Sequence, residues 1–386
     1  MRNRTVLALM LLLLLATLPV SAADEAPAPA KPGPRAEDFR TLHAQMNALL
    51  AELAQLQIQY RTANEDKRAD IQQEWKDLIA KGQKLEPKLI KAAEKAYREA
   101  PNADKQIVAF LVKLLEEEVQ ADDYEPAARI GRLLMDNKCD VKGVANLAGI
   151  AAFAVSDFDA AEKYLSVARS QGYYNSVPKK DEEIATIGAS YLKAVPHYKK
   201  AWAKEKAIRA REAKADNLPR VLLKTTKGDI EIELFEDQAP NAVANFISLV
   251  QSGFYKDVTF HRVIKGFMAQ GGDPTGGGSG GPGYSIACEC YQPNHREHFR
   301  GTLSMAHAGR DTGDSQFFLT FVPTPHLDGM HTAFGRVIGG MDVLAKIQRR
   351  DPRDKEAPRP DKILEAKVSK SIRKRPSEYK PQKMPD

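Results

Sequence analysis

The sequence predicts a protein of two parts, an all-α N-terminal module followed by an all-β closed barrel. Three observations predict this division. Apolar residues from Phe39 to Tyr60 recur at alternating spacings of three and four, as along one face of a helix. After Pro219 the apolar period changes to two, which is typical of half-buried strands. Short apolar runs separated by glycine then follow, together with two amphipathic helices, and they favour a closed antiparallel barrel.

Residues 1–23 have the pattern of a secretory signal peptide. Arg2 and Arg4 precede an apolar run over residues 6–18, and small residues follow it. The run is too short to span a membrane comfortably, and no later apolar run reaches about 18 residues. We therefore expect an exported protein, periplasmic or extracellular, without stable membrane insertion. Residues 24–36 are rich in Pro and Ala, which predicts an extended tether.

The formal net charge of +6 comes mainly from the leader and from residues 373–386, which we expect to form a basic, disordered tail. The remainder of the chain is nearly neutral, so the composition argues against nucleic acid as a partner. Three cysteines are too few for a disulfide scaffold in an exported chain of 386 residues. Buried apolar cores must therefore stabilise the fold.

Residues 37–100 are predicted to form a helical hairpin. A polar break at residues 62–66 separates the first apolar stripe from a second one. Two stripes joined by a short polar turn favour an antiparallel hairpin over a long dimerising coiled coil.

Residues 101–175 contain an internal repeat. Tyr124 with Ala127 recurs 34 residues later as Phe158 with Ala161, followed by apolar positions at helical spacing. This pattern resembles the tetratricopeptide repeat. Such a stack either binds a protein partner on its concave face or acts as a spacer, and the sequence leaves both roles open. A chance similarity between two helical hairpins is a further alternative.

Residues 181–217 are rich in Ala, Lys and Glu and predict a solvated connecting helix that ends or kinks at Pro196. The strand pattern begins after it. Residues 229–235 alternate between apolar and acidic side chains, a helix begins at Pro240, and a second short helix fits residues 341–349.

Arg262 is the only fixed charge in residues 260–264, a run that predicts a buried strand. A buried charge is costly unless it is paired or binds a ligand. A structural ion pair and a guanidinium offered to a ligand carbonyl beside an apolar pocket are equally consistent with these residues. The glycine run at 276–283 lacks the Lys-Ser/Thr pair and the following helix of a phosphate loop, so phosphate binding is rejected, and the run is interpreted as a flexible loop that lets the backbone come close to a ligand.

Four pieces stand in order in the C-terminal region: FHRVIKGFMAQGGDP, GTLSMAHAG, DSQFFLTF and HLDGMHTAFGRV. With these pieces, residues 219–372 resemble a cyclophilin-type peptidyl-prolyl isomerase. The resemblance implies an eight-stranded closed barrel capped by two helices, with an active groove on its outer face. It also implies isomerisation of X–Pro bonds in proline-containing polypeptides, here exported ones, without a cofactor or a catalytic metal.

The resemblance implies catalytic roles for Arg262, Phe267, Gln270 and His331. It also implies a set of substrate-binding residues that wall the proline pocket and the neighbouring groove: Met268, Gly278, Ala306, His307, Gln316, Phe318 and Leu327. His307 stands where the family often has Asn, and His326 where it often has Trp.

Two other interpretations remain open. In one, the barrel binds proline peptides without catalysis and the helical module recruits partners, although an intact Arg262, Phe267 and Gln270 favours an enzyme. In the other, four residues of metal-ligand type at short spacing hold a metal, or the two cysteines among them form a labile disulfide. These residues are Cys288, Cys290, His295 and His298. The interpretation favoured over both is that they are surface residues without a shared function.

Overall fold

The computed structural model describes residues 33–175, 177, 179–371 and 373–385. The predicted signal peptide and the tether before residue 33 lie outside the described residues. The chain divides into two compact units, one holding the described residues up to 117 with 129–144, the other holding 118–128 and the residues from 145 onward. No helix within the described ranges is long and apolar enough to cross a bilayer.

Helices α1 (Arg35–Thr62) and α2 (Glu65–Glu99) correspond to the two predicted apolar stripes. The N–H of Arg35 donates to the Glu99 carboxylate at 3.1 Å, so the start of α1 lies beside the end of α2 and the pair is antiparallel. Asn64, in the predicted polar break, caps α2 by accepting a backbone N–H at 3.1 Å. Four residues of the α1 stripe are buried: Phe39, Met46, Leu53 and Leu56. Leu42 and Leu49 are half-buried, and Tyr60 is exposed.

Four shorter helices follow: α3 (Lys105–Gln120), α4 (Tyr124–Asp136), α5 (Val144–Ala154) and α6 (Phe158–Ser170). The aromatic residues of the predicted repeat, Tyr124 and Phe158, each begin a helix and are each only 3% exposed. Gly149 lets α5 approach α6 closely, because a Cβ there would lie 2.5 Å from the Leu165 side chain. The helices therefore match the repeat positions, while their assignment to the tetratricopeptide repeat stays a prediction.

Helix α7 (Glu182–Ala215) differs from the solvated connector that the sequence predicts. It continues through Pro196 without ending, and Val195 and Tyr198 on either side are fully buried. The ring of Tyr198 stacks on Phe158 at 5.2 Å and lies edge-on to Phe299 at 5.8 Å. The apolar anchors of α7 are few but large, and they pack it into the same unit as the sheet.

Buried ion pairs complete the packing of α7. Arg296 is 3% exposed and donates to Glu205 at 2.9 and 2.6 Å and to Glu212 at 2.6 Å. Glu212 also accepts from Arg336 at 2.8 Å. The Arg296 guanidinium lies 3.9 Å from the centroid of the Phe235 ring. Because a buried charge is costly without a partner, these contacts make α7 part of the core of its unit.

Eight strands form one curled antiparallel sheet in the order β3-β4-β6-β5-β7-β2-β1-β8. The strands are β1 (Arg220–Thr225), β2 (Gly228–Leu234), β3 (Arg262–Ile264), β4 (Met268–Gly271), β5 (Thr302–Met305), β6 (Phe317–Thr320), β7 (Ala333–Gly339) and β8 (Ile363–Lys370). The segments before the two edge strands meet, since Thr259 bridges Lys362 and Phe260 N donates to Asp361 O at 2.9 Å. Closure of the barrel along the full edges stays a prediction.

Two helices accompany the sheet, α8 (Pro240–Gln251) and α9 (Met341–Lys346). Phe246 of α8 enters the core, where its ring lies 5.5 Å from the rings of both Phe317 and Phe334. These helices begin where the sequence predicts, and α9 ends three residues earlier than expected.

The prediction of a disordered tail does not hold for the described residues 373–385. Tyr379 is 4% exposed, and its hydroxyl donates to Glu236 at 3.3 Å. The N–H of Met384 donates to the carbonyl of Ser285 at 2.9 Å. The composition of the tail is basic, but one aromatic anchor and main-chain hydrogen bonds hold it on the surface of its unit.

We predict that Arg296→Ala lowers the free energy of unfolding by about 3–5 kcal/mol, because it leaves the Glu205 carboxylate buried without its partner. Urea denaturation followed by circular dichroism measures this loss. Lys346→Ala is the control, since it removes an exposed pair with Asp342 that is worth about 1 kcal/mol or less. Equal losses in the two variants would contradict the role of Arg296.

Candidate active site

The hairpin of β3 and β4 carries the predicted site. Arg262 stands opposite Gln270 across this hairpin, and Gln270 stands opposite Phe318 on β6. Directly opposed residues of an antiparallel sheet have neighbouring side chains on one face. Arg262, Gln270 and Phe318 therefore form a row across three strands, although Gln270 and Phe318 are 48 positions apart in the sequence.

An apolar cluster lies beside this row, where the resemblance implies the proline pocket, and it is termed the pocket. Its buried members are Met268, Ala306, Phe318 and Leu327, with Ile264 and Phe267 packed against them. The Phe267 ring centroid is 5.9 Å from Arg262 Cζ and 5.4 Å from the centroid of the His326 ring. The cluster thus contains the walls that the resemblance implies, Phe267, Met268, Phe318 and Leu327, together with Ala306 and Ile264.

Arg262 is half-buried and lacks an acidic partner. Its Nη1 donates to Gln270 Oε1 at 3.4 Å and lies 3.9 Å from Met268 Sδ. Within the described part of the chain, no carboxylate lies within 4.0 Å of its guanidinium nitrogens. Burial lowers the pKa of Arg262, and the charge of Asp351 opposes that effect. A structural ion pair, the first interpretation of this residue, is therefore not found, and the guanidinium is available to a ligand.

A relay of amides connects Arg262 to the glycine loop. Gln270 Nε2 donates to Gln316 Oε1 at 3.2 Å, and Gln316 Nε2 donates to the carbonyls of Gly278 and Gly280, both at 3.1 Å. The two glutamines thus fix the orientation of each other and of the loop backbone. Gly278 needs to be glycine here because its φ of +90° lies in the left-handed region.

Asp273 anchors the same loop from inside. Its fully buried carboxylate accepts the N–H and the hydroxyl of Thr275 at 2.7 and 2.8 Å, and also the N–H of Gly278. Burial raises the pKa of Asp273, but these hydrogen bonds outweigh burial and lower it to about 2. The loop is therefore tethered to its own carboxylate and to Gln316, rather than being the flexible loop that the sequence predicts.

His331 and His307 stack at the rim of the pocket. Their ring centroids are 4.1 Å apart, and the His331 ring lies edge-on to Phe318 at 5.5 Å. His331 Nδ1 is 2.9 Å from the Met305 carbonyl oxygen. Because a carbonyl only accepts, Nδ1 carries the proton, and Nε2 of the neutral ring is left as an acceptor. Burial lowers the pKa of His331, which favours this neutral form.

A buried polar chain behind the pocket was missed by the sequence analysis. His298 is fully buried and stacks on Phe318 at 6.0 Å. Its Nδ1 lies 2.8 Å from Asp328 Oδ1, and its Nε2 lies 2.8 Å from Ser304 Oγ. Asp328 directly follows Leu327, and His298 stacks on Phe318. These hydrogen bonds therefore support two walls of the pocket, Leu327 and Phe318. No sequence spacing relates these residues, because they belong to three separate segments.

The turn between β3 and β4 is held from outside by the segment between α3 and α4. The fully buried Asp122 accepts from Gly266 N at 2.9 Å and from Arg349 Nε at 2.8 Å. Glu125 accepts from both Nε and Nη2 of Arg300, at 2.9 and 2.8 Å. Bidentate carboxylate–arginine pairs are geometrically specific. The segment therefore restrains the hairpin on which the site depends.

The cysteine and histidine residues considered for metal binding have other partners. His298 contacts Asp328 and Ser304, and His295 Nδ1 lies 2.8 Å from the Gln292 carbonyl oxygen. Cys288 and Cys290 are both free thiols, and burial raises the pKa of each. The thiols are thus poor nucleophiles at neutral pH.

A curled antiparallel sheet holds a half-buried arginine beside an apolar pocket, and this arginine has no acidic partner among the described residues, as the resemblance to cyclophilins implies. Residues 220–368 match the model of the family described as cyclophilin type peptidyl-prolyl cis-trans isomerase/CLD. The chain belongs to the cyclophilin-type peptidyl-prolyl cis-trans isomerase family.

Two relatives in sequence support this assignment. A peptidyl-prolyl cis-trans isomerase of Helicobacter pylori is 53% identical over 150 residues, which cover 37% of this chain and 91% of that protein. Peptidyl-prolyl cis-trans isomerase B of Bacillus subtilis is 53% identical over 122 residues, covering 32% of this chain and 85% of that protein. The crystal structure of a Cryptosporidium parvum cyclophilin type isomerase matches with 36% identity and a TM-score of 0.37, covering 40% of this chain and 99% of that one.

We predict that His331 binds a proton only at pH values below its ordinary pKa of 6.5, because burial lowers that pKa in the fold. The unfolded chain then binds more protons than the folded one as the pH falls through 6.5, so stability falls with it. The melting temperature of His331→Gln should therefore fall less steeply below pH 6.5 than that of the wild type.

Proton NMR of the His331 ring provides the direct measurement. A titration midpoint at or above 6.5 would contradict the prediction.

Proposed function

We propose that the protein isomerises X–Pro bonds of exported polypeptides, with Arg262 stabilising the twisted amide over the apolar pocket. The observation that carries the proposal is the half-buried guanidinium of Arg262, which has no acidic partner among the described residues and lies beside walls formed by Met268 and Phe318. A guanidinium without a carboxylate keeps its remaining N–H donors for a ligand.

The chemistry explains why these residue types suffice. Amide resonance sets a barrier of about 18–20 kcal/mol to rotation, and no bond breaks during the reaction. In the twisted state the proline nitrogen regains its lone pair, and the guanidinium of Arg262 donates to that nitrogen or holds the preceding carbonyl. Gln270 holds Nη1 at 3.4 Å, so the donor is oriented before the substrate arrives. The pocket retains the ring while the other half of the peptide rotates.

The surrounding residues supply the rest of a peptide groove. Ala306, His307 and Gln316 adjoin the pocket and would receive the residue before proline. The Gly278 carbonyl accepts from Gln316 and its N–H donates to Asp273, so its backbone is held in place beside the groove. His331 offers Nε2 as an acceptor. These roles rest on the resemblance and on the contacts described above.

Arg262→Ala should lower kcat/KM by about 10²–10³-fold, the loss expected when one preorganised donor to a transition state is removed. The KM should change little, because the donor acts mainly in the twisted state. Arg262→Lys keeps the charge without the planar fork and should show an intermediate loss. Isomerisation of an Ala-Pro peptide, followed by NMR exchange or a protease-coupled assay, measures these rates.

Arg359→Ala is the matched control, since this arginine is exposed. Full activity in Arg262→Ala would eliminate the proposed mechanism. A wild-type protein that binds proline peptides without accelerating their isomerisation would instead support the binding scaffold.

Export is supported by the leader pattern alone. The full chain, expressed with and without residues 1–23, should be exported only with them, and the mature protein should begin near residue 24. Cell fractionation and N-terminal sequencing provide the measurement. An unprocessed protein retained in the cytoplasm would contradict the proposal that its substrates are exported polypeptides.

We also propose that the curled sheet closes into the eight-stranded barrel and that the helical repeats are of the tetratricopeptide type. The contacts of Phe260 with Asp361 support closure, and the equivalent buried aromatics Tyr124 and Phe158 support the repeat. A protein partner for the helical module stays a prediction.

A further inference from the structure

Three side chains from separate segments meet close to the loop that carries Leu327. They are His197 on α7, Glu297 before β5, and Asp328 after the 3₁₀ turn Pro325–Leu327. One ligand atom of each lies within 4.8 Å of those of the other two. His197 Nε2 is 3.8 Å from Glu297 Oε2. An imidazole and two carboxylates are thus brought together by the tertiary fold alone.

Two oxygens in this group are buried without a hydrogen-bond donor. Neither Glu297 Oε2 nor Asp328 Oδ2 has a hydrogen-bond partner in the described part of the chain. Buried acceptors are normally satisfied, and two nearby carboxylates disfavour each other's charge. A cation between these two oxygens would satisfy both of them.

Contacts with His298 fix the orientation of the Asp328 carboxylate. Its Oδ1 accepts from the backbone N–H of His298 at 2.7 Å and lies 2.8 Å from the ring Nδ1. With Oδ1 engaged on His298, Oδ2 is the oxygen that remains for the cluster. Carboxylates that bind metals are commonly held in this way by a hydrogen bond to their other oxygen.

We propose that His197, Glu297 and Asp328 bind a divalent transition-metal ion, with Zn²⁺ as the best match. Zn²⁺ accepts one imidazole nitrogen and two carboxylate oxygens, with water in the fourth position. Mg²⁺ and Ca²⁺ prefer oxygen ligands, so the histidine disfavours them. The His197 side chain is 59% exposed and is free to turn toward the ion.

The ligand atoms need only a small movement to form such a site. Tetrahedral ligands at about 2.0–2.1 Å from Zn²⁺ lie roughly 3.4 Å from one another, compared with the present limit of 4.8 Å. A bound ion would join α7 to the loop that supplies Leu327, and would so restrain one wall of the pocket.

The test is Zn²⁺ binding to the untagged full chain after treatment with a chelator, by titration calorimetry and elemental analysis. We expect one ion per chain. His197→Ala and Glu297→Gln should each weaken binding by more than the roughly 10- to 100-fold loss that follows removal of a supporting partner. His295→Ala is the matched control, because this histidine lies two residues from Glu297 and is not one of the three ligands. Substitution with Co²⁺ should give the visible absorption of a four-coordinate ion.

Wild-type binding no tighter than that of His197→Ala and Glu297→Gln would overturn the proposal. Binding that survives in these variants but is lost in Cys288→Ser/Cys290→Ser would overturn it too, since the ion would then be at the thiols. Circular dichroism and isomerase activity check that each variant folds. At Zn²⁺ about 100 times the wild-type Kd, the ratio of folded to unfolded protein should rise about 100-fold in the wild type and in His295→Ala, and far less in His197→Ala and Glu297→Gln.

Discussion

The antiparallel register of β3, β4 and β6 is the constraint on which the active site depends. Successive side chains of a strand alternate between faces, so a slip of one residue would turn Arg262 away from the pocket and bring Val263 into its place. The turn at Gly266 fixes this register, because its φ of +66° suits glycine and its N–H is held by Asp122. The position of the guanidinium thus follows from main-chain pairing rather than from an ion pair of its own.

Arginine serves two different purposes in this chain. Arg296, Arg300 and Arg349 each donate two or more hydrogen bonds to carboxylates and hold segments of the fold together. Arg262 has the same fork of donors, but its one described polar side-chain oxygen contact is the neutral amide of Gln270. A neutral acceptor orients the guanidinium without neutralising it, so its charge remains available to the substrate. This contrast separates the structural arginines from Arg262, the one that is proposed to be catalytic.

The sequence predicts the parts of the site that lie in local patterns, and it fails where partners come from distant segments. Arg262, Gln270 and the pocket walls lie within the contiguous pieces of sequence that carry the resemblance, so the resemblance points to them. His298 and Asp328 have no such pattern, because their relation arises only when the loops fold together. Glu205 lies in a segment whose composition is that of a solvated helix. Its burial becomes evident only from its contact with Arg296. The sequence likewise does not predict that Tyr379, an aromatic residue in a basic tail, is buried against Glu236.

Several arginines of the sheet region pair with carboxylates from residues before the first strand. Asp122 pairs with Arg349, Glu125 pairs with Arg300, and two glutamates of α7 pair with Arg296 and Arg336. A chain cut before β1 would lose these carboxylates, and the buried Arg296 would be left without Glu205 and Glu212. A buried charge is costly without its partner. The sheet and these upstream residues therefore form one folding unit, whose boundary lies before β1 rather than at it.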